Sequence, residues 1–209
     1  MANKAAVPKS RDLTVALIAA DEFLRVSRLF TDSLPKDLIQ AANVAVRNTG
    51  GLIVSATTLV LATELYLKSL LFLLGTDVAE THNLWDIFKR LPTEVKQGIE
   101  NEFKARFVSS ANQPDGANQP HGLKVAIWVR GQSEKPALSD TPQEWKRDLK
   151  SILRDSRNAF VSWRYLYEMG QEGKHVFFNY EYGSLGLLCE IVRRMVQDGL
   201  QNGKIVVTT

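Results

Sequence analysis

Leu52-Ile53-Val54-Ser55-Ala56-Thr57-Thr58-Leu59-Val60-Leu61-Ala62-Thr63-Glu64-Leu65-Tyr66-Leu67-Lys68-Ser69-Leu70-Leu71-Phe72-Leu73-Leu74, followed by Gly75, is apolar nearly all the way round a helical wheel. A helix of that kind is either a membrane span or the centre of a packed bundle. Glu64 and Lys68 decide between the two. Near the middle of a span each would cost roughly 2.5–3.5 kcal/mol on insertion scales, too much for a lone span that already carries Ser and Thr. The stretch is therefore expected to be the buried central helix of a soluble bundle, with no membrane partner and with Gly75 capping its C-terminus.

Working outward, the neighbouring segments supply helices to pack on it. Residues 10–31 place Ala16, Ala19, Phe23, Val26 and Phe30 at steps of three and four, with Leu13, Leu17 and Leu24 widening the stripe, which predicts an amphipathic helix. Pro35 can open a second helix that closes around Asn48-Thr49-Gly50-Gly51, or that continues with a kink. After Gly75, Asn83 is suited to N-cap a short helix whose contacts are Leu84, Trp85, Ile87, Phe88 and Leu91. Residues 92–108 carry Val95, Ile99, Phe103 and Phe107 at steps of four, another amphipathic helix.

Between residues 109 and 140 Pro, Gly, Asn, Gln and Ser dominate, and Ala-Asn-Gln-Pro occurs at 111–114 and again at 117–120. This reads as an inserted loop, with a short strand over 123–129 as its one ordered candidate. Thr141-Pro142-Gln143-Glu144 combines a capping hydroxyl, a first-turn proline and a third-position glutamate, and so predicts a helix of about seven turns from Trp145 to Gly170. The aromatic run 175–182 is extended or loop, and a last helix over 184–200 packs through Leu187, Leu188, Ile191 and Met195. The expected fold is all-α: one domain over 1–209, an up-and-down bundle of five to seven helices interrupted by the 109–140 loop.

Composition narrows the class. The 209 residues hold 26 Lys+Arg against 23 Asp+Glu, a net charge of +3, with 44% hydrophobic residues, which excludes wholesale disorder. The near-balance of charges permits an acidic polymer as partner without demanding one. Leu13 to Ala20 could pass for a signal core, but Asp21-Glu22 follow at once and the helical period continues, so secretion is not expected. A single cysteine, Cys189, makes no internal disulfide, so the compartment is read as reducing and cytoplasmic. It lies on an apolar helix face and is expected to be a packed thiol.

No phosphate-binding Gly-rich loop and no dinucleotide fingerprint occurs, and no cofactor is implied. His82, His121 and His175 are scattered, so no metal site is expected. Two polar features stand out. Glu64 and Lys68, four apart in the favourable order, sit in a helix with no polar side; they form either an ion pair at the bundle's rim or a patch lining a groove. Arg157 and Arg164 differ by only about 20° around a helix and stand roughly 10 Å apart along it. Two guanidinium forks on one stripe can receive phosphate oxygens, although Glu168, one turn beyond, can neutralise Arg164.

The segment Glu64-Leu65-Tyr66-Leu67-Lys68-Ser69-Leu70-Leu71, then Thr81-His82-Asn83-Leu84, then Arg157-Asn158 and Trp163-Arg164-Tyr165-Leu166-Tyr167-Glu168, resembles the HEPN superfamily of prokaryotic all-α domains. The resemblance spans roughly residues 50–105 and 141–200. It implies a helical bundle, commonly a homodimer, from toxin–antitoxin, phage-defence or RNA-processing systems. Active members are metal-independent endoribonucleases with an arginine, an adjacent polar residue and a histidine beyond four to six intervening positions. Arg157 and Asn158 match the first two; Ser162, Trp163 and Arg164 stand where the histidine would be.

The substitution bears on chemistry. Cleavage through the 2′-hydroxyl needs a group that moves protons near neutral pH, which histidine does and arginine does not. The expectation is a domain that binds RNA or a nucleotide through Arg157, Asn158, Arg164, Lys68 and Glu64, with His82 and Tyr165 as accessory candidates, and without efficient cleavage. Two alternatives stay open. One is an active ribonuclease in which His82 or His175 supplies the imidazole. The other is a protein-interaction module using residues 176–182 and the long loop, where aromatic side chains would dominate the contact energy.

Overall fold

A computed structural model of the chain describes residues 10–32, 43–44, 49–78, 80–111, 123–127, 148–156, 176–180 and 182–202. The apolar stretch forms helix α2 (Thr49–Leu73), which packs against α1 (Ser10–Thr31), α3 (Leu84–Lys89) and α6 (Tyr182–Asn202). Helix α4 (Thr93–Ala111) lies against α6, and α5 (Leu149–Asp155) against α3 and α6. The fold is an all-α helical bundle with six helices among the described residues.

By length and composition the part of α2 from Ile53 to Leu73 could cross a membrane, yet 61% of it is buried by the other elements of this chain. Tyr66, Leu67, Leu70 and Leu71 are fully covered and join Ala20 and Leu24 of α1, Ile87 and Phe88 of α3, Ile99 and Phe103 of α4, Ile152 and Leu153 of α5, and Leu188 and Ile191 of α6 in one core cluster. Burying each large aliphatic side chain is worth about 1.5–3 kcal/mol relative to leaving it in water. Several of the hydroxyls that α2 carries are satisfied locally or across helices, while those of Thr57 and Ser69 are buried with no hydrogen-bond partner among the described residues. Thr58 and Thr63 donate to the carbonyls of Val54 and Leu59 at 2.7 and 2.8 Å, and Ser55 donates to the carbonyl of Ser27 at 2.8 Å. As the contact point climbs α2 from Ser55 to Tyr66 it descends α1 from Ser27 to Asp21, so the two helices run antiparallel.

Glycine sets both ends of α2. At Gly51 a β-carbon would fall 2.7 Å from the Phe30 ring, so the missing side chain lets α1 and α2 approach closely. At the other end Gly75 adopts φ 66°. Its N–H bonds the Phe72 carbonyl at 3.0 Å and the Thr76 N–H bonds the Leu71 carbonyl at 3.0 Å, the paired bonds of a Schellman motif. Asn83 caps α3 as expected, its side-chain oxygen accepting from Trp85 N and Asp86 N. Val95, Ile99, Phe103 and Phe107 all face the core.

The short strand expected over 123–129 is present as Leu123–Ile127 (β2), the middle strand of a three-stranded sheet, antiparallel to Val176–Tyr180 (β3) in the aromatic run, with Val125 opposite Phe178. Two expectations are corrected. A helix from Pro35 to Asn48 is not formed throughout, because Asn43–Val44 is a strand (β1) paired in parallel with Lys124 and Val125. The helix expected from Trp145 to Gly170 is not continuous. Asp148 is extended (φ −107°, ψ 134°) and its carboxylate caps the Ser151 N–H at 2.8 Å, so the helix starts at Leu149; Ser156 then closes it after two turns. The Thr141-Pro142-Gln143-Glu144 box lies outside the described residues.

Candidate functional site

The Schellman turn at Gly75 sends the chain back beside α2, and the return is long enough for His82 to reach the helix it has just left. Thr81 and Asn83 flank that histidine with acceptors for the backbone: Thr81 Oγ1 takes the Asn83 N–H at 3.0 Å, and Asn83 takes the first amides of α3. Between two such anchors the His82 ring is carried onto Glu64. Its Nδ1 stands 3.0 Å from Glu64 Oε1 and 3.1 Å from Oε2.

Glu64 is 4% exposed, and Lys68, one turn further along α2, donates Nζ to the same Oε1 at 2.8 Å. A carboxylate taken so far out of water needs partners, and here it has a cation on one side and an imidazole on the other. The Lys68 side chain is 20% exposed and that of His82 is 62% exposed, so the cluster opens to solvent on the histidine side. With a neutral ring, a carboxylate at Nδ1 fixes the proton on that nitrogen and makes Nε2 the basic one. Chemically this is an imidazole oriented by an acid beside a held ammonium, a set that binds an anion or relays a proton.

The structure thus brings Glu64, Lys68 and His82 together. Arg157, Asn158, Arg164 and Tyr165 lie outside the described residues, as do His121 and His175. Among the described residues no group of three His, Cys, Asp or Glu side chains is arranged to hold a metal ion. Cys189 is fully buried with Sγ 3.2 Å from Thr63 Oγ1; burial pushes its thiol up to about 12, with the Thr63 contact offsetting only part of the rise.

A second polar centre went unread in the sequence. The Asp21 carboxylate of α1 accepts the Tyr66 hydroxyl from α2 and, from α6, Arg193 Nε at 2.7 Å and Nη2 at 3.2 Å. Burial pushes Asp21 up, but the hydrogen bonds from Arg193 and Tyr66 and the charge of Arg193 outweigh it and hold the carboxyl below its ordinary value. Beside this centre opens a furrow of about 310 Å³ walled by Arg25, Arg28 and Arg193, by Asp21 and Asp32, and by Leu24 and Leu29. Its arginines have carboxylate partners: Arg25 with Glu22, Arg28 with Glu190 at 2.5 Å, and Arg193 with Asp21. Glu190 also meets Arg106 at 2.9 Å, and Glu102 meets Arg106 and Arg194, so alternating charges tie α1, α6 and α4 together. The only local hint was Asp21-Glu22 closing an apolar run; the partners of Asp21 lie 45 and 172 positions away.

Comparison of the chain with protein-family models, with curated proteins and with solved structures gives no match.

Proposed function

We propose that the chain is a HEPN-like helical domain that binds RNA or a nucleotide through phosphate contacts and does not cleave it efficiently. The observation that carries this reading is the meeting of Glu64, Lys68 and His82. These residues belong to two of the short segments on which the resemblance rests, and their side chains form one solvent-open cluster in an all-α bundle. Lys68 and the Arg157/Arg164 stripe supply the positive charge, and Glu64 holds Lys68 and His82 in place. The arginine motif lacks its histidine, which removes the usual proton shuttle.

Fluorescence anisotropy with labelled single-stranded RNA tests this directly. Affinity falls steeply between low and moderate salt, and Arg157→Ala, Arg164→Ala and Lys68→Ala each weaken binding across sequences. RNA affinity that none of the three changes alters would overturn the proposal.

One observation favours a second reading, an active ribonuclease with a rearranged site. The His82 ring is both oriented by Glu64 and reachable from solvent, which is the arrangement a general base requires. In that case purified protein degrades RNA in the presence of EDTA and His82→Ala abolishes the activity. Intact RNA over a range of pH would sink the second reading and leave the first.

A further inference from the structure

The surface that α3 and α5 share holds a partly exposed indole among cations. Trp85 of α3 stacks on the buried Phe88 ring, with 6.1 Å between centroids and 24° between planes, which fixes the indole from the core side. The Arg154 guanidinium reaches across from α5 and lies over the same indole, its Cζ 5.1 Å from the ring centroid. Lys89, one turn along α3, stands with Nζ 6.0 Å from that centroid. Arg90 follows Lys89 in the chain, Lys150 lies one turn before Arg154, and Lys96 of α4 donates Nζ to the Lys89 carbonyl at 3.3 Å. Cationic side chains from three helices thus gather near one aromatic ring. Where α1, α4 and α6 meet, the arginines are matched by carboxylates. Here Lys89 pairs with Asp86 at 2.7 Å, whereas Arg90, Lys150 and Arg154 are exposed and have no carboxylate partner among the described residues.

An arginine held over an indole without a carboxylate keeps its N–H donors uncommitted, and its planar group is open to a second stacking partner. Nucleobases stack on guanidinium planes and aromatic rings, and their phosphates are drawn to the cations alongside. We propose that the Trp85/Arg154 pair is a nucleotide-binding platform, on which one unpaired nucleobase stacks while Lys89, Arg90 and Lys150 attract its phosphate. The ligand chemistry is that of a base carrying a phosphate, either a free nucleotide or one residue of a single strand. A base inside a duplex is covered on both faces by its neighbours and does not fit. An acidic peptide would satisfy the charges but leave the stacking surface without a role. None of these residues belongs to the Arg157/Arg164 stripe or to the Glu64 cluster, so the platform stands or falls separately from the reading above.

The test is fluorescence anisotropy of the full chain with a short labelled oligoadenylate, and with AMP, duplex RNA and oligoglutamate as competitors. Arg154→Gln weakens binding about tenfold, the scale of one lost base stack. Arg154→Lys keeps the charge but not the planar group, and its affinity stays closer to that of Arg154→Gln than to the wild type. Trp85→Phe retains a ring beneath the guanidinium and keeps most of the affinity. Arg90→Gln and Lys150→Gln each weaken binding less and flatten its salt dependence. Displacement by AMP assigns the platform to a free nucleotide, and strand binding that AMP does not displace assigns it to one residue of a strand. Arg90, Lys150 and Arg154 are exposed, so circular dichroism reports unchanged helicity for their variants. Affinity untouched by Arg154→Gln, an Arg154→Lys variant that binds as the wild type does, or oligoglutamate or duplex RNA that competes as well as unlabelled oligoadenylate would each overturn the proposal. Binding lost in Arg157→Ala and Arg164→Ala but unchanged in Arg154→Gln would overturn the platform alone. The reverse pattern would overturn the arginine stripe and leave the platform.

Discussion

Glu64 and His82, eighteen positions apart, meet with the imidazole Nδ1 shared between both oxygens of a carboxylate that is almost fully buried in the bundle's central helix. Lys68 approaches the same carboxylate from within the helix. The three side chains do not contribute equally, because they differ in how far each is removed from water.

Glu64→Gln keeps the shape and removes the charge that Lys68 faces. The variant loses about 1–3 kcal/mol in urea unfolding, the usual scale for a hydrogen bond to a charged group. His82→Ala loses less than about 1 kcal/mol, since its ring is mostly solvated and an exposed pair is heavily screened. If His82→Ala proved the costlier of the two, the cluster's stability would rest on the return loop and not on the buried carboxylate.

The close approach of α1 and α2 at Gly51 makes a steric prediction. A β-carbon there would stand 2.7 and 2.8 Å from two atoms of the Phe30 ring. Gly51→Ala is therefore destabilising by about 1–3 kcal/mol despite alanine's better helix propensity. Trimming the ring with Phe30→Leu in the same chain recovers part of the loss, so a double-mutant cycle shows favourable coupling between the two changes. Additive effects would mean that the helices separate at no cost.

Cys189 supplies a solution test of the core. With its thiol pushed up to about 12 by complete burial, almost no thiolate exists near pH 8. The native chain is expected to react negligibly with a disulfide reagent at that pH, and the urea-unfolded chain to release one equivalent of thiol. Rapid labelling under native conditions would place Cys189 outside the packed face of α6.

How much of this was legible in the sequence follows from the range of each interaction. Val95, Ile99, Phe103 and Phe107 repeat every four residues and face the core because periodicity is a local property. The Asn83 cap and the Gly75 terminus were legible for the same reason. Glu64 and Lys68 could be paired from their spacing alone, but the third member, His82, depends on a chain reversal whose return path no local pattern encodes. The partners of Asp21 lie on two other helices, and β1 is two residues long and pairs with residues some eighty positions onward, beyond any window in which periodicity operates. Asp148 shows the converse: a plain aspartate, unremarked by any local pattern, caps the described helix that begins at Leu149.

The Asp21 centre gives a pH dependence whose sign can be worked out. Its carboxyl is held below the ordinary 3.8 because, against the upward push of burial, Arg193 and Tyr66 favour the charged form. A group whose value is depressed by folding contributes stability that is present above its unfolded value and is lost as pH falls toward the folded one. Asp21→Asn forfeits that contribution at neutral pH, by no more than about 1 kcal/mol since the pair is partly exposed and screened. Wild type and variant share their other carboxylates, so the difference between their melting temperatures isolates Asp21. That difference is expected to be constant from pH 7 down to about pH 5 and to shrink below 3.8 as the wild-type carboxyl takes up its proton. A gap that persists undiminished at the lowest pH would show that Asp21 acts through shape and neutral hydrogen bonding, and that the Arg193 charge adds nothing to the contact between α1 and α6.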